Sequence, residues 1–158
     1  LAPRFFTVYG PRQRPDLAIR KFARLIMENK PVPVYGDGST RRDYTYISDI
    51  IDGIRAAMDY TGSQYEIINL GNSRTVSLME MVRSLGDAMG REVKLSMQPE
   101  QPGDVSQTWA DLTKARALLG YTPTTSLEDG LRQFALWFKQ EFTYTNPAAP
   151  HGAWVVNR

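Results

Sequence analysis

Two alternating periodicities do most to narrow what this chain can fold into. Short β-branched and aromatic runs take turns with longer stretches whose apolar residues recur every three or four positions. Arg4–Tyr9 is such a run, closed by Gly10-Pro11, and Arg12-Gln13-Arg14-Pro15 follows as a basic loop. Asp16 opens a helix to about Asn29, with Leu17, Ile19, Phe22, Leu25 and Ile26 at helical spacing. Val32–Tyr35 is a short strand that Pro33 confines to an edge. The Gly36-Asp37-Gly38-Ser39 turn folds Arg41–Ile47 back as the second strand of a hairpin. Ser48 caps a helix bearing Ile50, Ile51, Ile54, Ala57 and Met58, and Tyr65–Leu70 is a strand stopped by Gly71. Ser77 and Glu80 have the spacing of a capping box ahead of a helix to Met89-Gly90. Glu92–Met97 is a further strand, and a loop with Pro99, Pro102 and Gly103 follows. Asp111 and Ser126 cap two helices, ending at Gly120 and near Phe142. The order β-α-β-β-α-β-α-β-α-α predicts a mixed α/β fold, one domain over residues 1–142, with 143–158 as a flexible tail.

Composition excludes several classes. At 158 residues, 42% hydrophobic and 23% charged, the chain is long and apolar enough for one core and is not of disordered type. No apolar run approaches the roughly 20 residues of a membrane span, so no membrane partner is expected and the cytoplasm is the default location. Cys is absent and the lone His151 sits in a Pro/Ala/Gly stretch, so no metal site is expected. A net charge of +2 argues against nucleic acid. Of the 19 basic residues 14 are Arg, a group suited to forked phosphate or carboxylate contacts, although drift in surface composition produces the same bias.

The chain carries no self-sufficient active site. Gly36-Asp37-Gly38 has no third glycine and no helix after it, so it is not a dinucleotide fingerprint. No Tyr has a Lys four residues on, and a serine triad would depend on His151. No catalytic and no cofactor-binding residue is therefore assigned within it.

Several motifs in order do resemble a known family. Arg4-Phe5-Phe6-Thr7-Val8-Tyr9-Gly10-Pro11, Gly36-Asp37-Gly38 with Arg42-Asp43-Tyr44, Asn69-Leu70-Gly71, Gln101-Pro102-Gly103-Asp104, Ala110-Asp111, and Lys114-Ala115 to Leu119-Gly120-Tyr121 resemble the carboxy-terminal half of the extended short-chain dehydrogenase/reductases. Within them the chain is similar to the NAD-dependent nucleotide-sugar epimerases and dehydratases. The resemblance implies a substrate-binding domain whose amino-terminal Rossmann half, with NAD and the catalytic Tyr/Lys pair, is missing. It also implies that the strands near 4–9 and 65–70 would extend that missing sheet. The chain alone is then expected to be inactive.

The same resemblance implies roles for particular residues. Arg42 matches the arginine on the nucleotide's pyrophosphate; a cross-strand pair with Asp43 or Asp37 is the alternative. Tyr35 matches the strand bordering the base, or else merely packs. Asp104 matches the acid that accepts ribose hydroxyls, or else forms a turn. Thr7 stands where relatives place a donor beside the sugar or phosphate, and Arg14 is either an anion contact or a solvated charge. Gln101 replaces an arginine of many hexose epimerases, a departure similar to the UDP-glucuronate 4-epimerase branch, in which an Arg12/Arg14 loop would face the uronate carboxylate. UDP-glucose 4-epimerases and nucleotide-sugar dehydratases are the alternatives within the family, and a non-catalytic sugar-nucleotide-binding module is the alternative outside it. The implied chemistry of the intact protein is transient oxidation at C4 of a UDP-sugar, then return of the hydride to the opposite face. Expected partners are the UDP-sugar, the Rossmann half and, through the unpaired edge at Arg4–Tyr9, a second copy in a homo-oligomer.

Overall fold

The computed structural model describes residues 1–145. The calls for a tail fall largely on 146–158, which lie outside the described residues. Strands β1 (Ala2–Phe5) and β2 (Thr7–Tyr9) lead to helix α1 (Ala18–Met27), then β3 (Val32–Tyr35), β4 (Arg41–Tyr46) and α2 (Ile47–Met58). There follow β5 (Ile67–Leu70), β6 (Thr75–Ser77), α3 (Leu78–Met89), β7 (Leu95–Gln98), α4 (Thr113–Leu119) and α5 (Leu127–Thr145). The mixed α/β class is as expected. Among the described residues no helix is long and apolar enough to cross a membrane.

The strands form three small sheets: β1–β5 parallel, β2–β4 parallel with β6 antiparallel on the other side of β4, and β3–β7 parallel. This corrects two expectations. The run Arg4–Tyr9 is not one strand: Phe6 N donates to Leu70 O at 3.2 Å as the last rung with β5, and Thr7 already stands opposite Tyr44 of β4. Nor do β3 and β4 form a hairpin. Gly36 and Gly38 take φ of 61° and 76°, and the link spends its hydrogen bonds elsewhere. Gly36 N donates to Gln98 O, Met79 N to Gly38 O and Leu78 N to Thr40 O. The turn thus ties β3 to the end of β7 and to the start of α3. Pro33 does lie in an edge strand, since β3 pairs with β7 alone. The sequence pattern missed β6, whose partly buried Thr75, Val76 and Ser77 are too short a run to show a period.

Caps explain which helix starts were predictable. Ser77 and Glu80 form the expected box, Glu80 N donating to Ser77 Oγ at 3.1 Å and Ser77 N to Glu80 Oε2 at 2.7 Å. Ser126 Oγ likewise accepts from Asp129 N at 3.0 Å at the head of α5. Ser48 is not a cap: α2 already begins at Ile47, with Tyr46 before it and no side-chain bond. Asp111 bonds Thr113 N and Oγ1 one residue ahead of the cap position at Leu112. Asp16 does not open α1, which starts at Ala18 behind an uncapped Leu17.

Two apolar clusters result. The larger joins Ile19, Phe22 and Ile26 of α1 to Met81, Leu85 and Met89 of α3, and to Leu131, Phe134 and Phe138 of α5, under Tyr9 and Tyr44. The smaller joins Ile68 and Leu70 of β5 to Ile50 of α2, Ala115 of α4 and Tyr121.

The clusters are stapled by Asp43 of β4, which is fully buried. Its Oδ1 accepts from Asn72 N (2.7 Å) and Thr45 Oγ1 (3.0 Å), and its Oδ2 from Ser73 N (2.9 Å) and Ala110 N (3.1 Å). A buried carboxylate is tolerated when its lone pairs are met in this way.

Candidate functional site

Strand alternation sends Asp43 to the staple and turns its neighbours Arg42 and Tyr44 to the opposite face, where they line a cleft of about 320 Å³. Thr7 comes from β2, whose register sets it opposite Tyr44. Tyr35 comes from the end of β3, and Leu17, Ala18, Ile19 and Lys21 from the start of α1. Asp104 enters from the loop after β7. That loop is strapped along β4: Arg41 N donates to Ser106 O at 2.8 Å and Thr108 N to Arg41 O at 3.1 Å. A turn closed by Asp104 N on Gln101 O, with Gly103 at φ 86°, presents the Asp104 carboxylate.

Arg42 is the electrostatic centre. One guanidinium nitrogen donates to Arg41 O at 2.8 Å, and the other pairs with Asp104. The Arg42 side chain is only 20% exposed, so its charge is partly sheltered from screening. The pairing with Asp104, across the loop, replaces the cross-strand alternatives to Asp43 or Asp37. Lys21 adds a second cation. Helix α1 has no side-chain cap and no acidic residue in its first turn, so its free N–H groups and positive dipole end stand at the cleft. Cations beside an open helix start form an anion-binding arrangement. Burial pushes the Tyr44 phenol up to about 12, opposed by Arg42, so it faces the cleft as a neutral hydroxyl.

The structure thus brings Thr7, Tyr35, Arg42 and Asp104 to one cleft. It does not bring the other two named residues there. Arg14 is exposed and pairs with Asp16 at 2.8 Å, and only Asp16 reaches the cleft lining. Gln101 is exposed and serves through its backbone carbonyl. Sequence reasoning missed Gln13, Lys21 and Tyr44. Lys21 had a signal, since it lies four residues after Leu17 on the same helix face. Gln13 had none.

The family described as GDP-mannose 4,6 dehydratase matches residues 1–134. The UDP-glucuronate 4-epimerase of Thermodesulfobacterium geofontis is 41% identical over 138 residues, covering 87% of this chain and 42% of that protein. UDP-glucuronate 4-epimerase 1 of Arabidopsis thaliana is 38% identical over 163 residues, covering 92% of this chain and 38% of the plant protein. Among solved structures, the UDP-glucuronic acid 4-epimerase of Bacillus cereus in complex with UDP-glucuronic acid and NAD has a TM-score of 0.82 at 41% identity, over 88% of this chain and 45% of that one. The Thermotoga maritima UDP-glucose 4-epimerase with UDP-glucose has a TM-score of 0.83 at 30% identity, over 89% and 46%. The chain spans less than half the length of these relatives. With the match running over most of its residues, the chain belongs to the GDP-mannose 4,6 dehydratase family, among the NAD-dependent nucleotide-sugar epimerases and dehydratases of the extended short-chain dehydrogenase/reductase fold.

Proposed function

We propose that this chain is the substrate-binding portion of a UDP-sugar 4-epimerase, with UDP-glucuronate as the sugar nucleotide. The observation that carries the reading is the single cleft that gathers Arg42, Asp104, Thr7 and Tyr35 beside the open start of α1. In this reading the diphosphate lies against Arg42, Lys21 and the α1 N–H groups, the ribose hydroxyls reach Asp104, and Tyr35 borders the base. Arg42 uses its remaining donors for phosphate, a fork a point charge cannot replace. Arg14, now held by Asp16, turns to the uronate carboxylate, and Gln101 leaves the pyrophosphate a single guanidinium clamp.

The chain's own residues do not fit NAD. Gly36 and Gly38 join two strands through the β3–β4 link, so they offer no helix start to a pyrophosphate. The cofactor and the proton-transferring pair are accordingly assigned to an amino-terminal Rossmann half, for which β1 and β5 would continue the sheet. Relatives of about twice this length support that assignment. Binding energy from the unreactive diphosphate would hold the sugar while its reacting carbon turns.

Calorimetry with UDP on the full-length protein tests the reading. Arg42→Ala should weaken binding by about 1.5–3 kcal/mol, the range for a hydrogen bond to a charged group, and Arg42→Lys should restore only part. UDP binding in Arg42→Ala equal to the parent overturns the site. Equal kcat/KM for UDP-glucose and UDP-glucuronate overturns the choice of sugar alone.

A further inference from the structure

Gln13 is bound in place on three sides, and one atom of it is left over. Its backbone N donates to Gly10 O at 3.2 Å, and its backbone O accepts from Arg20 Nη1 at 2.6 Å. Its side-chain Nε2 donates to Val8 O at 3.1 Å. That last bond decides which end of the amide is oxygen, because Val8 O accepts only. The remaining atom, Oε1, is buried and has no partner, the single such side-chain nitrogen or oxygen among the described residues. Native structures seldom leave a buried acceptor unmet. Gln13 lines the cleft that holds Thr7 and Arg42, so the missing donor belongs to what the cleft takes in.

Charge and chemistry narrow that donor. Phosphate and carboxylate oxygens are acceptors and cannot satisfy an amide oxygen. A hydroxyl can. Tyr35 and Asp104 enter the cleft from β3 and from the loop after β7, whereas Gln13 and Thr7 belong to β2 and the turn that follows it. With the nucleoside on the first side, the sugar ring falls on the second. We infer that Gln13 Oε1 accepts a hydrogen bond from a hydroxyl of the hexosyl ring and so orients the sugar within the cleft. This rests on the UDP-sugar reading above.

The experiment compares UDP with UDP-glucuronate by calorimetry on the full-length protein, in the parent and in Gln13→Met, which keeps the side chain's length and removes the acceptor. Losing the Nε2–Val8 bond affects both ligands alike, so the measured quantity is the ratio of their dissociation constants. The advantage of the sugar-bearing ligand should fall about tenfold, the scale of one hydrogen bond with its acceptor left buried. Equal weakening of both ligands means a purely structural glutamine and overturns the inference, as does an unchanged ratio, which leaves Oε1 to water. A parent that does not bind UDP at all overturns the nucleotide reading and this inference with it. If Gln13→Met does not fold, the side-chain amide resonances of Gln13 in the parent decide. A shift with UDP-glucuronate that UDP does not reproduce supports the contact, and the same shift with both ligands overturns it.

Discussion

The two apolar clusters are built from similar residues yet differ in how they are closed. Around α1, α3 and α5 the larger cluster is covered on every side its helices can reach, with Met81, Leu85 and Phe134 fully buried. Around β1 and β5 the smaller one has α2 and α4 on one face and leaves apolar side chains on show. Phe5 is 48% exposed, Ile67 42%, Ile51 45% and Met58 79%. Single exposed apolar residues are ordinary, but here they gather on the β1–β5 ladder and α2, which is the signature of an association surface. The covered region carries the cleft. The open region carries no candidate site residue, so in this fold recognition and assembly are assigned to different parts of the chain.

The largest effect that would break this contrast lies in the covered core. Phe134→Ala should lower global stability by about 3–5 kcal/mol, through lost transfer energy and a cavity between α3 and α5. Denaturant unfolding reads it directly, and a loss under 1 kcal/mol, against that expected range, would show that the cluster is not closed. Next comes the staple between the regions. Asp43→Asn keeps the shape but sets an NH₂ group against two of the four donors that now share the carboxylate. It should cost about 2–4 kcal/mol, a stranded donor adding to a lost charge-assisted bond. Hydrogen exchange should quicken at Asn72, Ser73 and Ala110; protection there matching the parent would mean the clusters hold together without Asp43. The smallest effect is at the open face. Phe5→Ser should change stability by no more than about 0.5 kcal/mol, as surface positions do. It should also reduce self-association in light scattering, and undiminished association would place the contact elsewhere.

Sequence reading and structure agree best where a local rule suffices. Helices α1, α3 and α5 follow from the spacing of their apolar residues, and the start of α3 from Ser77 and Glu80, because both signals are complete within a few residues. Strand partners were not legible in that way. Nothing in Val32–Tyr35 says that it pairs with Leu95–Gln98 rather than with the next strand, and the intervening glycines suit a hairpin equally well. The break at Phe6 is likewise decided by two separate partners, Leu70 and Tyr44. At the site, Arg42, Asp104, Thr7 and Tyr35 were named through family resemblance, not through any local chemistry. Gln13 stayed hidden because its meaning depends on Val8, Gly10 and Arg20 at once.

Arg42 and Asp43 are neighbours on one strand with opposite duties. A slip of β4 by a single position would exchange them. The guanidinium would then meet the amides of Asn72, Ser73 and Ala110, donors facing donors, while a carboxylate would stand where an anion is to be received. Either error alone is costly, and one inserted or deleted residue in β4 produces both together. The strand therefore has almost no tolerance for changes in length, and variation in this part of the chain has to be absorbed in the links on either side, at Asp37–Thr40 and beyond Tyr46.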